Sequence, residues 1–143
     1  MQKFGWPASL VAETAHWVIL ARPAQPTLGS LVLAAKSEAL AFGDLDPRAH
    51  ADLAIACKTI ESALRAQVGY ERINYLMLMM VDPHVHFHVV PRYSGERDWD
   101  GTVFEDAGWP GVPNLSAAID LGEQLPAFVD WMRRAFEGSS EKS

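Results

Sequence analysis

Hydrophobic and polar positions along this 143-residue chain fall into short β-patterned runs and two helical stripes. The run His16-Trp17-Val18-Ile19-Leu20-Ala21 is rich in β-branched and aromatic residues and stops before Arg22-Pro23, which predicts a strand. Ala24 to Gly29 reads as a turn, punctuated by prolines and a glycine, and Ser30-Leu31-Val32-Leu33-Ala34 as the second arm of a hairpin. Asp46-Pro47 supplies an oxygen-bearing cap followed by proline in the first turn, and Gly69 a stop. Between them Leu53, Cys57, Ile60, Leu64 and Val68 recur at three- and four-residue steps, the stripe of a long helix. Cys57 on that stripe reads as a small buried apolar residue. His50, off the stripe, reads as a solvated histidine.

Ile73 to Val81 is nearly continuous apolar sequence, which predicts a strand covered on both faces at the sheet centre. Asp82-Pro83 fits a tight turn, so His84-Val85-His86-Phe87-His88-Val89-Val90 should fold straight back against it. From Ser94 the composition changes to Gly, Asp, Trp and Pro, including Gly108-Trp109-Pro110-Gly111, and reads as a long ordered loop. A C-terminal helix over 124–136 carries Leu125, Phe128, Val129, Met132 and Phe136 on one side, with Pro126 in its first turn. The tail 138–143 should be disordered. Residues 1–15, with Phe4, Trp6, Leu10 and Val11, suggest an arm packed onto the domain or a partner subunit.

Composition narrows the classes. Hydrophobic residues make up 49% of the chain, enough for a single compact domain over 1–143 with a real core. The net charge of −6 argues against nucleic-acid polymers and anionic membranes as partners, while a small anionic ligand held locally remains compatible. One cysteine cannot form an intrachain disulfide, no run is long enough to span a bilayer, and no leader pattern opens the chain, so the expected compartment is the cytoplasm.

Three of the five histidines stand at alternate positions of one strand, 84, 86 and 88. Strand side chains alternate between faces, so these imidazoles should emerge together while Val85, Phe87 and Val89 enter the core. Their spacing of roughly 6.5 to 7 Å suits several uses. Two of them can share a zinc, but a further ligand must come from elsewhere, and no carboxylate or thiol stands at ligand spacing. A row of imidazoles also suits an extended phosphate, each N–H meeting a different oxygen and one unprotonated nitrogen attacking phosphorus. Solvent-facing sheet histidines are the third reading.

At these residues the chain resembles the histidine triad superfamily of nucleotide hydrolases and transferases, whose signature alternates three histidines with hydrophobic residues and ends in two more. Residues 84–90 match every position, Pro91-Arg92 follows as in many members, and the resemblance covers about 14–112. It implies an α+β fold: an antiparallel sheet with one long helix and a C-terminal helix, acting as a homodimer on a small-molecule nucleotide, with no obligatory metal or cofactor. It also implies that His86 attacks the α-phosphorus to form a covalent nucleotidyl-histidine that water cleaves, cutting a phosphoanhydride or phosphoramidate bond. His84 and His88 would be its catalytic partners, polarising the phosphate or fixing the tautomer of His86, and Asn74 and Arg92 would serve substrate binding.

The chain departs from the family where many members carry a polar Gly-Gln-Ser or Gly-Gln-Thr loop before the triad. Here Met77 to Pro83 is apolar save for Asp82, and Met79 and Val81 cannot supply those hydrogen bonds. The ribose-contacting asparagine at the end of the first strand is Arg22, and the family's frequent Gly-His in the second strand is Gly29-Ser30. Two alternatives to the enzyme therefore stand: a nucleotide-binding regulatory module with little turnover, and a His-X-His metal protein.

Overall fold

A computed structural model describes residues 5–141. Its centre is a five-stranded, wholly antiparallel sheet. In chain order its strands are β1 (Leu10–Glu13), β2 (Trp17–Ala21), β4 (Leu31–Ala35), β5 (Arg72–Leu76) and β6 (His86–Arg92), and in space they run β1-β2-β4-β6-β5. The expected hairpin is present, with Trp17 opposite Ala35 and Ala21 opposite Leu31. Its turn includes β3 (Ala24–Gln25), which pairs with β9 (Ile119–Asp120). Phe4 of the expected N-terminal arm lies outside the described residues. The rest of the arm, in β1, forms the sheet edge, while Trp6 and Leu10 pack on the sheet.

Alternation divides the sheet. Trp17, Ile19, Leu31, Leu33, Val85 and Val89 belong to the main core beneath α1 (Pro47–Gln67) and α2 (Leu125–Glu141). The opposite face carries Val18, Leu20, Val32 and Ala34. Asp46 caps α1 by accepting from Arg48 N at 2.8 Å, and Gly69, at φ +63°, ends it. The stripe that α1 buries is Ala49, Asp52, Ala56, Ile60, Ala63 and Leu64, displaced from the expected one. Alanines occupy the line of closest approach and leave Leu53 and Cys57 half-buried. Burial pushes the Cys57 thiol up, away from the thiolate. Gly29 allows the hairpin turn to touch the end of α1: at φ +95°, a Cβ there would sit 2.8 Å from Val68 Cγ2.

Several expectations need correction, among them the central place expected for the 73–81 strand, since β5 is an edge of the sheet. The strand over 73–81 ends at Leu76, and the histidine strand runs 86–92 rather than 84–90. Residues 77–85 form a loop in which Met79 has φ +53° and Met80 and Val81 are 84% and 92% exposed. An apolar run says nothing about pairing, and past Leu76 the chain leaves β6 instead of completing a ladder. The Asp82 turn chemistry is real, since its carboxylate accepts from His84 N at 2.9 Å, but it lies inside a longer connection.

The loop after Ser94 contains an unforeseen hairpin, β7 (Glu96–Trp99) with β8 (Thr102–Glu105), whose Trp99 packs against Phe128 and Trp131 of α2. Finally, α2 continues through Gly138 to Glu141, where a disordered tail was expected, because Gly138 does not take the left-handed turn that would stop it. The last two residues of that tail, 142 and 143, lie outside the described residues. No described helix is long and apolar enough to cross a membrane.

Candidate active site

The middle strand of the β4-β6-β5 trio places the histidines. Phe87 turns toward α1, packing on Trp17, Tyr75 and Phe42. His86 and His88 therefore go to the other face, with ring centroids 5.1 Å apart and planes at 82°. Across the ladder Ala34 is opposite His86, while Val32 and Leu76 flank His88. The His86 ring is enclosed, with the residue 4% exposed.

His84 stands outside the strand, at the end of the 77–85 loop, so the three imidazoles do not form the single row that strand alternation implied. It is joined by hydrogen bonds to β4 and to His86. Its Nε2 lies 2.6 Å from the carbonyl of Ala35 on β4, and its own carbonyl lies 2.5 Å from Nδ1 of His86. A carbonyl can only accept, so His86 Nδ1 carries the proton and Nε2 is the basic nitrogen. His84 Nε2 is likewise protonated toward Ala35. Burial, then the Arg22 charge and then His86 push the His88 imidazole down to about 4, so it is neutral at pH 7.

Asn74 and Arg92 share the histidine face but stand two and four paired positions beyond His88, where Asn74 is opposite Val90 and Arg72 opposite Arg92. Asn74 does not reach toward His86. Its Oδ1 accepts from Arg92 Nη1 at 2.7 Å. Arg92, anticipated as a substrate contact, is enclosed. Its Nε and Nη2 donate to the two carboxylate oxygens of Asp106 at 2.6 and 3.1 Å, and Nη2 also donates to Gly111 O at 2.8 Å. The pair is 5% and 1% exposed at its side chains. Arg92 thus ties the Trp109-Pro110-Gly111 loop to the sheet. Between that loop and β5 lies a cavity of about 630 Å³, walled by Leu76, Trp109, Pro110, Val112 and Pro113, with Asn74 and Arg72 as polar neighbours.

Asp106 escaped sequence reasoning. An aspartate in a loop carries no pattern, and only the fold brings it to Arg92. Arg22 stood out in the sequence as a departure, but its surroundings did not. It directly follows β2 and projects to the histidine face, and its Nη1 is enclosed without a hydrogen-bond partner, as is Nδ1 of His88. Among the described residues no group of three or more His, Cys, Asp or Glu is placed to hold a metal ion.

No family model and no curated protein matches the chain. Solved structures do. A zinc-bound histidine triad family protein of Mycobacterium smegmatis aligns over 96% of this chain and 89% of its own at 18% identity, with a TM-score of 0.66. A histidine triad protein of Marinobacter aquaeolei VT8 aligns over 96% and 95% at 17% identity, also with a TM-score of 0.66. A diadenosine triphosphate hydrolase of Plasmodium falciparum aligns over 92% and 78% at 12% identity, with a TM-score of 0.67. The chain has the fold these proteins share, an antiparallel sheet with a long helix and a C-terminal helix.

Proposed function

We propose that the chain is a member of the histidine triad superfamily and hydrolyses or transfers a nucleotidyl group through His86. The observation that carries this reading is the hydrogen bond from His86 Nδ1 to the His84 carbonyl, which fixes the tautomer a nitrogen nucleophile needs. The His86 Nε2 lone pair attacks the α-phosphorus, and the bond from phosphorus to the leaving group breaks with its electron pair on the leaving atom. In the second step a water oxygen attacks the same phosphorus. The P–N bond returns its pair to Nε2, and the proton of the water passes to solvent.

Within this reading His84 acts through its carbonyl on His86, and His88, neutral at pH 7, donates to a phosphoryl oxygen. The cavity walled by Leu76, Trp109 and Pro110 suits a planar base. Arg92 and Asn74 act by holding its wall. The ligand is a free nucleotide, and the acting form is a cytoplasmic homodimer, as the resemblance implies. His86→Ala should abolish turnover across dinucleoside polyphosphates, phosphoramidates and nucleotide sugars while circular dichroism stays unchanged. Equal activity in the two proteins would defeat the reading.

A second reading, a nucleotide-binding module with little turnover, is favoured by one observation. The loop before the triad presents Met80 and Val81 to solvent and no polar side chain beyond Asp82. Micromolar nucleotide affinity without a nucleotidyl-His86 species on rapid quench would select it.

A further inference from the structure

The triad face holds a cation that the proposed chemistry does not use. The ion pairs among the described residues join Lys36 to Glu13, Arg48 to Asp46 and Arg92 to Asp106, and none of these described carboxylates pairs with Arg22. Burial lowers its pKa, the direction expected of an unpaired buried cation. Arg22 is partly buried and only its Nη1 is enclosed, but an enclosed donor with an unmade hydrogen bond is unfavourable, and such a group asks for a ligand or a function.

Register places the charge. Leu20, Val32, His88 and Leu76 share one rung of the sheet. Arg22 lies two positions further along, past the rung of Ala21 and Leu31, its backbone N–H donating to Ser30 O at 3.2 Å. Gln25 fixes that backbone. Its Nε2 donates to Arg22 O at 2.6 Å and Ser30 O at 2.9 Å, while its Oε1 accepts from Gly29 N and Ser30 N. The backbone that carries the guanidinium is thus held in a hydrogen-bonded turn, and the Arg22 charge acts on His88. Nη1 of Arg22 and Nδ1 of His88 are both enclosed, both without partners, and do not bond each other. With the His88 proton on Nδ1 they are two donors suited to one oxyanion.

We propose that Arg22 and His88 form a second anion subsite that takes the phosphoryl group adjacent to the one attacked by His86, which makes the substrate a phosphoanhydride with at least two consecutive phosphoryl groups. The inference rests on the reading of the triad as a phosphoryl-transfer centre. In such a substrate the leaving oxygen departs with the bond pair as part of a phosphate, and the Arg22 charge stabilises it. A phosphate leaves as an anion and needs no proton, which agrees with a pre-triad loop whose Met79 and Val81 offer no side-chain hydrogen bond.

Titration calorimetry of the intact chain with inorganic phosphate and inorganic pyrophosphate tests the subsite. Pyrophosphate should bind about tenfold more tightly than phosphate, the worth of one charge-assisted contact. In Arg22→Gln, which removes an unpaired charge and should fold, the gap should shrink below about threefold. Equal affinities in the wild-type chain, which needs no variant, or an undiminished gap in Arg22→Gln would overturn the proposal. Neither measurement depends on turnover, so failure to trap nucleotidyl-His86 would count against the catalytic reading alone.

Discussion

Replacing Asp106 by alanine should be among the most damaging single changes in the molecule. The carboxylate accepts four hydrogen bonds: two from Arg92, one from Tyr93 N at 3.3 Å and one from Gly108 N at 3.2 Å. Its removal leaves Arg92 charged at a site 5% exposed, with only Asn74 Oδ1 and Gly111 O to answer it. Breaking one side of a buried ion pair costs about 3–5 kcal/mol, because the surviving charge stays desolvated. That is a large part of the 5–15 kcal/mol typical of a folded domain. With a urea slope of about 2 kcal/mol per molar, the unfolding midpoint of Asp106→Ala should fall by about 1.5–2.5 M. The double variant Arg92→Met with Asp106→Leu, which buries no charge, should recover more than half of that loss. A midpoint shift below about 0.5 M in Asp106→Ala would show that water reaches the pair and would refute the reasoning.

Two further outcomes follow from the same geometry. Gly29→Ala forces a side chain into φ +95° with its Cβ 2.8 Å from Val68 Cγ2. It should cost about 2–5 kcal/mol and lower the melting temperature by at least about 6 °C, so an unchanged melting curve would mean that the turn moves freely away from α1. His88 titrates near 4 in the folded chain against 6.5 ordinarily, so below pH 6.5 the unfolded chain binds a proton that the folded chain refuses. Stability contributed by neutral His88 is therefore present above pH 6.5 and lost as pH falls toward 4. The stability difference between wild type and His88→Gln should move against the wild type across that window, and a pH-independent difference would count against the burial of His88.

The parts of the fold that were legible in the sequence are those where one residue type has one physical use. Asp46-Pro47 and Gly69 bracket α1 because capping and left-handed termination are local. The β2–β4 hairpin followed from β-branched runs on either side of a proline-glycine turn. Alternation with Phe87 and Val89 put His86 and His88 on one face, while His84 left the strand, which alternation did not foresee. Where an outcome depends on which strand lies alongside, the sequence was mute. Nothing in Met77 to Val81 records that pairing stops at Leu76, and nothing around Asp106 marks it as the counterion of Arg92. The same limit explains Arg92 itself, whose buried pairing with Asp106 no local pattern announces.

The register of the sheet carries a consequence of its own. His88, Val32, Leu20 and Leu76 come from four strands yet occupy one line, with Arg22 two positions further along. The site is therefore a measuring scale whose graduations are backbone hydrogen bonds, and it sets which ligand groups are touched by their position along the strands. A one-residue insertion in the 36–45 connection would leave every graduation in place. One inserted between Trp17 and Arg22 would turn the guanidinium to the helix side and erase a mark without altering any histidine.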